Sequence, residues 1–219
     1  KECGMKKILI LGDSLSLPRH KPEVCKYGET WPRLLANEYI VHQVSIGGGT
    51  IRDFLRQLTY HISFEPDFVI TQIGIVDCAP RALSQFELLI LERFSLTRRF
   101  ILPLIKTNSI KLRRFRKISY TSPKNFKSAL SKIRKLLPRA KFIALGIVPA
   151  SEDYEKTVPG IRRQIVKFNS ILHEEFAETF ISLDDIDRNG VMSDFIHLNN
   201  VGQTEVYRRL KVVLDSTHA

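Results

Sequence analysis

Ile8-Leu9-Ile10-Leu11-Gly12-Asp13-Ser14-Leu15 is the stretch that decides the fold of this chain. Four consecutive branched apolar residues have the composition of a parallel strand buried on both faces, where polar alternation disappears. Gly12-Asp13-Ser14 then supplies turn chemistry. Open α/β sheets bind their ligands in the crevice at the carboxyl ends of the strands, so a serine in the first turn after such a strand stands at the mouth of that crevice. Far along the chain, Asp194-Phe195-Ile196-His197 places a carboxylate and an imidazole three residues apart. Those are the two groups a serine nucleophile requires.

Outward from that strand the same rhythm repeats. Apolar runs at 6–11, 40–46, 68–73, 141–147 and 179–183 alternate with helical patterns at 31–38, 50–62, 123–137 and 158–178. The third pattern begins with Ser122 as a cap and Pro123 at the first helical position, the usual helix opening. The fourth follows Pro159 and carries one apolar stripe, Ile161, Ile165, Phe168, Leu172 and Phe176. Asn199 or Asn200 caps a last helix running to about 214. Strand-helix alternation at this spacing predicts a three-layer α/β/α sandwich around a five-stranded parallel sheet.

One segment breaks the rhythm. Over forty residues lie between the third strand and Pro123, where a compact crossover needs about a dozen. The segment has apolar stretches at 86–91 and 100–105 and the basic run KLRRFRK at 111–117. Pro103 is expected to break or kink any helix there. The expectation is a single domain over 1–219 with a basic helical insertion at about 83–121.

Composition narrows the possibilities. The chain has 219 residues, 43% of them hydrophobic, and a formal net charge of +11. Residues 93–151 contain sixteen Lys and Arg and no Asp or Glu, so the remaining residues carry a net −5. Such a split predicts contact with an anionic membrane or an acidic glycan through 93–151. KLRRFRK offers charge and one aromatic but no recognised nucleic-acid reader motif, which ranks nucleic acid last. No stretch reaches the roughly 18 apolar residues of a membrane span. Residues 1–7 are too short and polar to open a secretory signal, and Met5 is the expected native start. Cys3, Cys25 and Cys78 are odd in number and lack metal-ligand spacing, which favours reduced thiols in the cytoplasm. His20, His42, His61, His173 and His218 form no metal pattern, so no metal and no cofactor are expected.

Four blocks of this chain resemble the SGNH, or GDSL-type, hydrolases, and the likeness runs from residue 6 to about 214. The first block is Gly12-Asp13-Ser14-Leu15, whose serine is the family nucleophile. The last is Asp194-Phe195-Ile196-His197, and the resemblance assigns His197 as base and Asp194 as its orienting carboxylate. The second is Ser45-Ile46-Gly47-Gly48-Gly49-Thr50, in which Gly48, or Gly47 in the other register, matches the glycine whose N–H helps bind the oxyanion. Ser14 supplies the partner N–H. Trp31-Pro32 also matches a common family dipeptide. The third block departs: Gly74-Ile75-Val76-Asp77 stands where the family has Gly-x-Asn-Asp, so Val76 replaces the asparagine amide. Losing one oxyanion donor typically costs about 10²–10³ in turnover. Asp77 would repel an oxyanion and is expected instead to cap the next turn, pairing with Arg81. Asp13, Gly47, Gly74, Val76, Asp77 and Arg81 are the expected lining of the site.

The resemblance implies a flavodoxin-like fold and a serine-dependent carboxylic ester hydrolase. An acetyl ester of a carbohydrate or polysaccharide intermediate is the first-choice substrate, and a lipid ester the second. An acyltransferase with the same triad and a weakened glycan- or lipid-binding module are the rivals. The expected location is cytoplasmic, peripheral to the membrane, and nothing in the sequence sets an oligomeric state.

Overall fold

The computed structural model describes residues 4–216. Strand β1 (Lys7–Gly12) leads through α1 (Trp31–Leu35) to β2 (Ile40–Ser45), and α2 (Ile51–Leu58) leads on to β3 (Phe68–Gln72). Next come α3 (Ile75–Cys78), α4 (Gln85–Arg93), α5 (Ser95–Thr107), α6 (Ser109–Arg116), α7 (Pro123–Leu136) and β4 (Lys141–Leu145). Then α8 (Glu152–Thr157) and α9 (Ile161–Phe176) precede β5 (Phe180–Ile181), and α10 (Asn200–Ser216) ends the described chain. All five strands are parallel, in the order β2-β1-β3-β4-β5. That is the flavodoxin-like order, and its crevice lies between β1 and β3, where the winding reverses. Gly12 sits there, opposite Ser45 on one side and Gln72 on the other.

Side chains of β1 alternate between two cores, as the period of a strand demands. Ile8 and Ile10 pack with Trp31 and Leu35 of α1 and with Val206, Leu210 and Leu214 of α10. Leu9 and Leu11 face the other way, toward Phe54 of α2, Phe126 of α7 and Phe168 of α9. All these side chains are fully buried. Burying each contributes roughly 1.5–3 kcal/mol. The Phe126 and Phe168 rings meet in a tilted pair with centroids 4.8 Å apart.

Two expectations change at the edges of the sheet. The fifth strand shrinks from 179–183 to two residues, because only Phe180 and Ile181 find partners, Ala144 and Leu145. The second helix stops at Leu58, and the chain then makes a short turn that Glu65 closes in the left-handed region at φ 48.

Between α3 and α7 the chain forms three helices. Pro103 lies inside α5 rather than ending it. A proline removes one backbone donor and crowds one carbonyl, and on an exposed helix water can take up the freed carbonyl. Large apolar side chains stand exposed along this segment: Phe86, Leu89, Phe94, Phe100, Leu104 and Phe115. The basic run is not one solvated face. Arg116 pairs with Glu87 at 2.8 Å and donates to Ala82 O, while Arg113 donates to Thr157 O at 2.8 Å. Arg114 and Lys117 remain exposed.

No helix among the described residues is long and apolar enough to cross a membrane. Cys25 and Cys78 are buried free thiols. Cys3 and His218 lie outside the described residues.

Candidate active site

Ser14 opens a single 3₁₀ turn, Ser14–Ser16, directly after β1. Asp13 shapes that turn: its Oδ1 accepts from Leu15 N at 2.9 Å, and its own N–H donates to Gln72 O at 3.0 Å. A Cβ at Gly12 would collide with Ser16 Oγ, so the strand can reach the turn only through glycine. Beneath the turn lies a polar brace. Gln203 donates to Leu15 O at 2.8 Å and accepts from Trp31 N at 3.1 Å, while the Trp31 indole donates to Gln72 Oε1 at 2.8 Å. A backbone carbonyl next to the serine is thereby held by a side chain of α10, 188 positions away.

The loop before α10 brings Asp194 and His197 to that turn. Met192 N donates to His197 O at 2.7 Å and Phe195 N to Met192 O at 2.9 Å, closing the loop tightly. Phe195 is left at φ 66, a left-handed conformation that costs a bulky residue about 1–2 kcal/mol. Asp194 Oδ1 accepts from Ile196 N at 3.1 Å and His197 N at 3.0 Å, and its Oδ2 lies 2.6 Å from His197 Nδ1. His197 Nε2 in turn lies 2.9 Å from Ser14 Oγ. An ionised carboxylate only accepts, so Nδ1 carries the proton and Nε2 is free to accept from the serine hydroxyl. Burial lowers the His197 pKa; Asp194 pulls it back up, Arg19 adds to the lowering, and the net is below the ordinary imidazole value. Burial alone would raise the Asp194 pKa, but the hydrogen bonds from His197 and Ile196 prevail and hold it below the usual carboxylate range. Near neutral pH the pair is therefore carboxylate and neutral imidazole.

The other expected residues stand in different settings. Gly47 and Gly48 are exposed in the turn after β2, with Gly48 at φ 71, and Ile46 N ties that turn to Gly12 O at 2.9 Å. Gly74 adopts φ 122, and a Cβ there would strike Ile147. Val76 is a buried residue of α3 and belongs to the core.

Asp77 corrects the sequence reading. It makes no direct bond to Arg81; its carboxylate accepts from Ile51 N, at 3.1 and 3.2 Å, and from Thr121 Oγ1. The unpaired first amide of α2 is the stronger attraction, since a buried donor there would otherwise have no acceptor. Arg81 instead donates to Val76 O at 3.2 Å and lies over the Tyr120 ring, 4.6 Å from its centroid. Burial pushes Asp77 up to about 6 against the pull of Thr121 and Ile51. Asp13 is buried outright, with Oδ2 unpartnered among the described residues, and burial raises it to about 7.

Beside the serine turn, Leu15, Ile75, Ile147, Tyr154, Phe195 and Ile196 enclose an apolar cavity of about 10 Å³, room for a group the size of one water. A cavity of about 630 Å³ alongside α9 includes none of Ser14, Asp194 and His197. Sequence reasoning missed Gln203, Gln72, Thr121 and Tyr154. Glutamine and threonine carry no pattern of their own, and only the fold brings them to the turn.

The fold and this hydroxyl-imidazole-carboxylate chain define a serine hydrolase class. The GDSL-like lipase/acylhydrolase family matches residues 10–204, so the chain belongs to that family and is a serine ester hydrolase. No curated protein matches the sequence. Among solved structures, TesA is 16% identical with TM-score 0.60, covering 95% of this chain and 98% of its own. A GDSL-like lipase from Bacteroides thetaiotaomicron is 13% identical with TM-score 0.64, covering 97% and 89%. A catalytic mutant of Axe2, an acetylxylan esterase from Geobacillus stearothermophilus, is 17% identical with TM-score 0.57, covering 94% and 92%.

Proposed function

We propose that Ser14, His197 and Asp194 form the catalytic triad of a short-acyl carboxylic esterase, acting on an acetyl ester of a carbohydrate. The observation that carries this reading is the continuous contact from Ser14 Oγ through the His197 ring to Asp194, at 2.9 and 2.6 Å. Ser14 Oγ attacks the ester carbonyl carbon as His197 Nε2 takes the hydroxyl proton. The tetrahedral intermediate collapses, the ester C–O bond breaks, and His197 returns the proton to the leaving alcohol. Water then attacks the acyl-serine with the same base and releases the acid. Backbone N–H groups of Ser14 and Gly48 stabilise the oxyanion. Asp194 holds the tautomer and the imidazolium.

The acetylxylan esterase among the structural neighbours supports an acetyl ester on a sugar. Hydrolysis of 4-nitrophenyl acetate, butyrate and octanoate by the parent and by Ser14→Ala tests the reading. We expect kcat/KM to fall at least about tenfold from acetate to octanoate, and Ser14→Ala to remove about 10³-fold or more of the acetate rate. Parent turnover no greater than that of Ser14→Ala would sink the esterase mechanism. Adding a sugar acceptor and analysing the products separates hydrolysis from acyl transfer.

A preference for octanoate would favour the second reading, a lipid ester reached at an anionic membrane or acidic glycan surface through 93–151. The exposed apolar side chains of α4–α6, together with basic residues, favour it, because interfacial helices combine those two surfaces.

Val76→Asn tests the missing third donor. A restored amide is expected to raise kcat on 4-nitrophenyl acetate by about 10²-fold, while a polar group in that buried position lowers stability by about 1–3 kcal/mol. Unchanged kcat in a folded variant would mean that another donor already serves the oxyanion.

A further inference from the structure

We propose that the α4–α6 excursion is a docking surface for an anionic phospholipid membrane. The apolar stripes of α4 and α5 enter the lipid, and the cations around them meet the headgroups. The inference holds whichever ester is hydrolysed, because it concerns where the protein is held and not what Ser14 attacks.

Apolar exposure is concentrated in this segment. Nine of the 17 exposed large apolar side chains among the described residues fall within 86–115, and the others are spread from Met5 to Val212. Those of α4 and α5 follow helical spacing. Phe86, Leu89 and Ile90 stand at i, i+3 and i+4 of α4, and Phe100, Ile101 and Leu104 at i, i+1 and i+4 of α5. Each helix therefore gathers its exposed apolar side chains on one side. Phe86, Leu89, Phe100 and Leu104 are 65–73% exposed. Helix α7, next along the body, does the opposite and buries its stripe of Phe126, Leu130 and Ile133 in the core. Single apolar residues are ordinary on a surface, whereas stripes on two helices that pack together mark an interaction site.

Charge selects the occupant. No Asp or Glu occurs from Arg93 to Ser151, and Glu87 of α4 is already bound by Arg116. Arg93, Arg99, Lys106, Lys111, Arg114 and Lys117 are exposed and make no ion pair among the described residues. Arg113 and Arg116 are spent on Thr157 O and Ala82 O, so they frame the surface and are not its contacts. A partner that buries leucine and phenylalanine while attracting cations is apolar within and anionic outside, as a bilayer with acidic headgroups is. Lysine and arginine can lay their stems along the lipid and keep their charges among the headgroups. A nucleic acid or acidic polysaccharide would meet the cations and leave Leu89 and Leu104 in water. A second copy of this chain would set one basic surface against another, a repulsion that an isologous interface cannot avoid.

The test uses the full chain and two triple variants. One, Leu89→Gln/Phe100→Gln/Leu104→Gln, removes apolar contacts, and the other, Lys106→Gln/Lys111→Gln/Arg114→Gln, removes charge. All six side chains are exposed, so both variants keep the fold, which a thermal melt checks. Flotation is run with vesicles of phosphatidylcholine alone and of phosphatidylcholine mixed with phosphatidylglycerol.

The parent is expected to bind the mixed vesicles at least about tenfold more tightly than phosphatidylcholine alone, and each variant to lose at least about tenfold on the mixed vesicles. Added salt should weaken what the apolar variant retains. Insertion is read separately with Phe100→Trp. Trp31 is fully buried, so lipid brominated in its acyl chains should quench the new indole and leave the parent emission unchanged. Hydrolysis of 4-nitrophenyl acetate should match the parent in both triple variants, since Ser14, Asp194 and His197 lie outside the excursion.

Equal binding by the parent and both variants, no preference of the parent for the mixed vesicles, or an unquenched Phe100→Trp on bound vesicles overturns the proposal. Binding to polygalacturonate without binding to vesicles assigns the surface to an acidic glycan and overturns it as well. A dimer that the apolar variant abolishes, in a parent that binds no vesicles, assigns it to a second copy with the same consequence.

Discussion

Asp194→Asn is expected to lower kcat on 4-nitrophenyl acetate by about 10³–10⁴-fold, with KM little changed and the fold intact. The loss, about 4–5.5 kcal/mol of barrier, follows from the tautomer. Asp194 Oδ2 now accepts the His197 Nδ1 proton at 2.6 Å, while Oδ1 accepts two backbone N–H groups. An asparagine would keep its oxygen on those two N–H groups and turn its amide toward the ring. The amide would donate to Nδ1, force the proton onto Nε2, and leave no acceptor for the Ser14 hydroxyl. The histidine would also lose the carboxylate that now raises its pKa against burial. The acid limb of the pH–rate profile should therefore move to lower pH while the plateau collapses. A loss smaller than tenfold in a variant with an unchanged melting temperature would mean that some other group orients His197.

Asp13→Asn should produce the second-largest effect, on stability rather than rate. Asp13 is buried, pairs through Oδ1 alone, and has its pKa raised from 3.8 to about 7, chiefly by burial and further by Asp77, against the Leu15 N–H. A carboxyl whose folded pKa exceeds its unfolded value holds its proton more tightly when folded. Its contribution is fully present below about pH 4 and is lost as pH rises to about 7. The loss is on the order of 4 kcal/mol, spread over that window. Asparagine keeps the acceptor for Leu15 N and cannot ionise. Urea unfolding of both proteins at pH 5, 6, 7 and 8 isolates this residue, because the other titrations are common to both. The stability of Asp13→Asn relative to the parent should climb from pH 5 to 7 and then level off. A difference independent of pH would show that Asp13 does not titrate in this window.

Much of the architecture was legible in the chain because it rests on one-dimensional pattern. The unbroken apolar run before Gly12 could only be a doubly covered strand, and the stripe from Ile161 to Phe176 could only be one face of a long helix. What stayed hidden was short or non-local. Helices α3 and α8 span four and six residues, too few for any period to register, yet both wall the small cavity against Leu15 of the serine turn. Asp77 pointed toward Arg81, four positions away, because local charge is visible in a sequence and an unpaired amide at Ile51 is not. Gln203 could not be connected with Leu15 at all: 188 positions separate them, and a buried glutamine is recognised only by the carbonyl it holds.

The seam at Asp77 also bears on how this protein can change over generations. Thr121 is fastened to Asp77 through both side chain and backbone, and Arg81 pairs with Ile118 in a single antiparallel bridge. The three-helix excursion between them thus leaves and rejoins the body at one point, whatever its length. Lengthening a loop whose ends are already pinned costs little, about 0.6 kcal/mol per doubling. Residues 82–117 can accordingly change in length without re-registering a strand, provided that the hold of Arg113 on Thr157 O is kept or replaced.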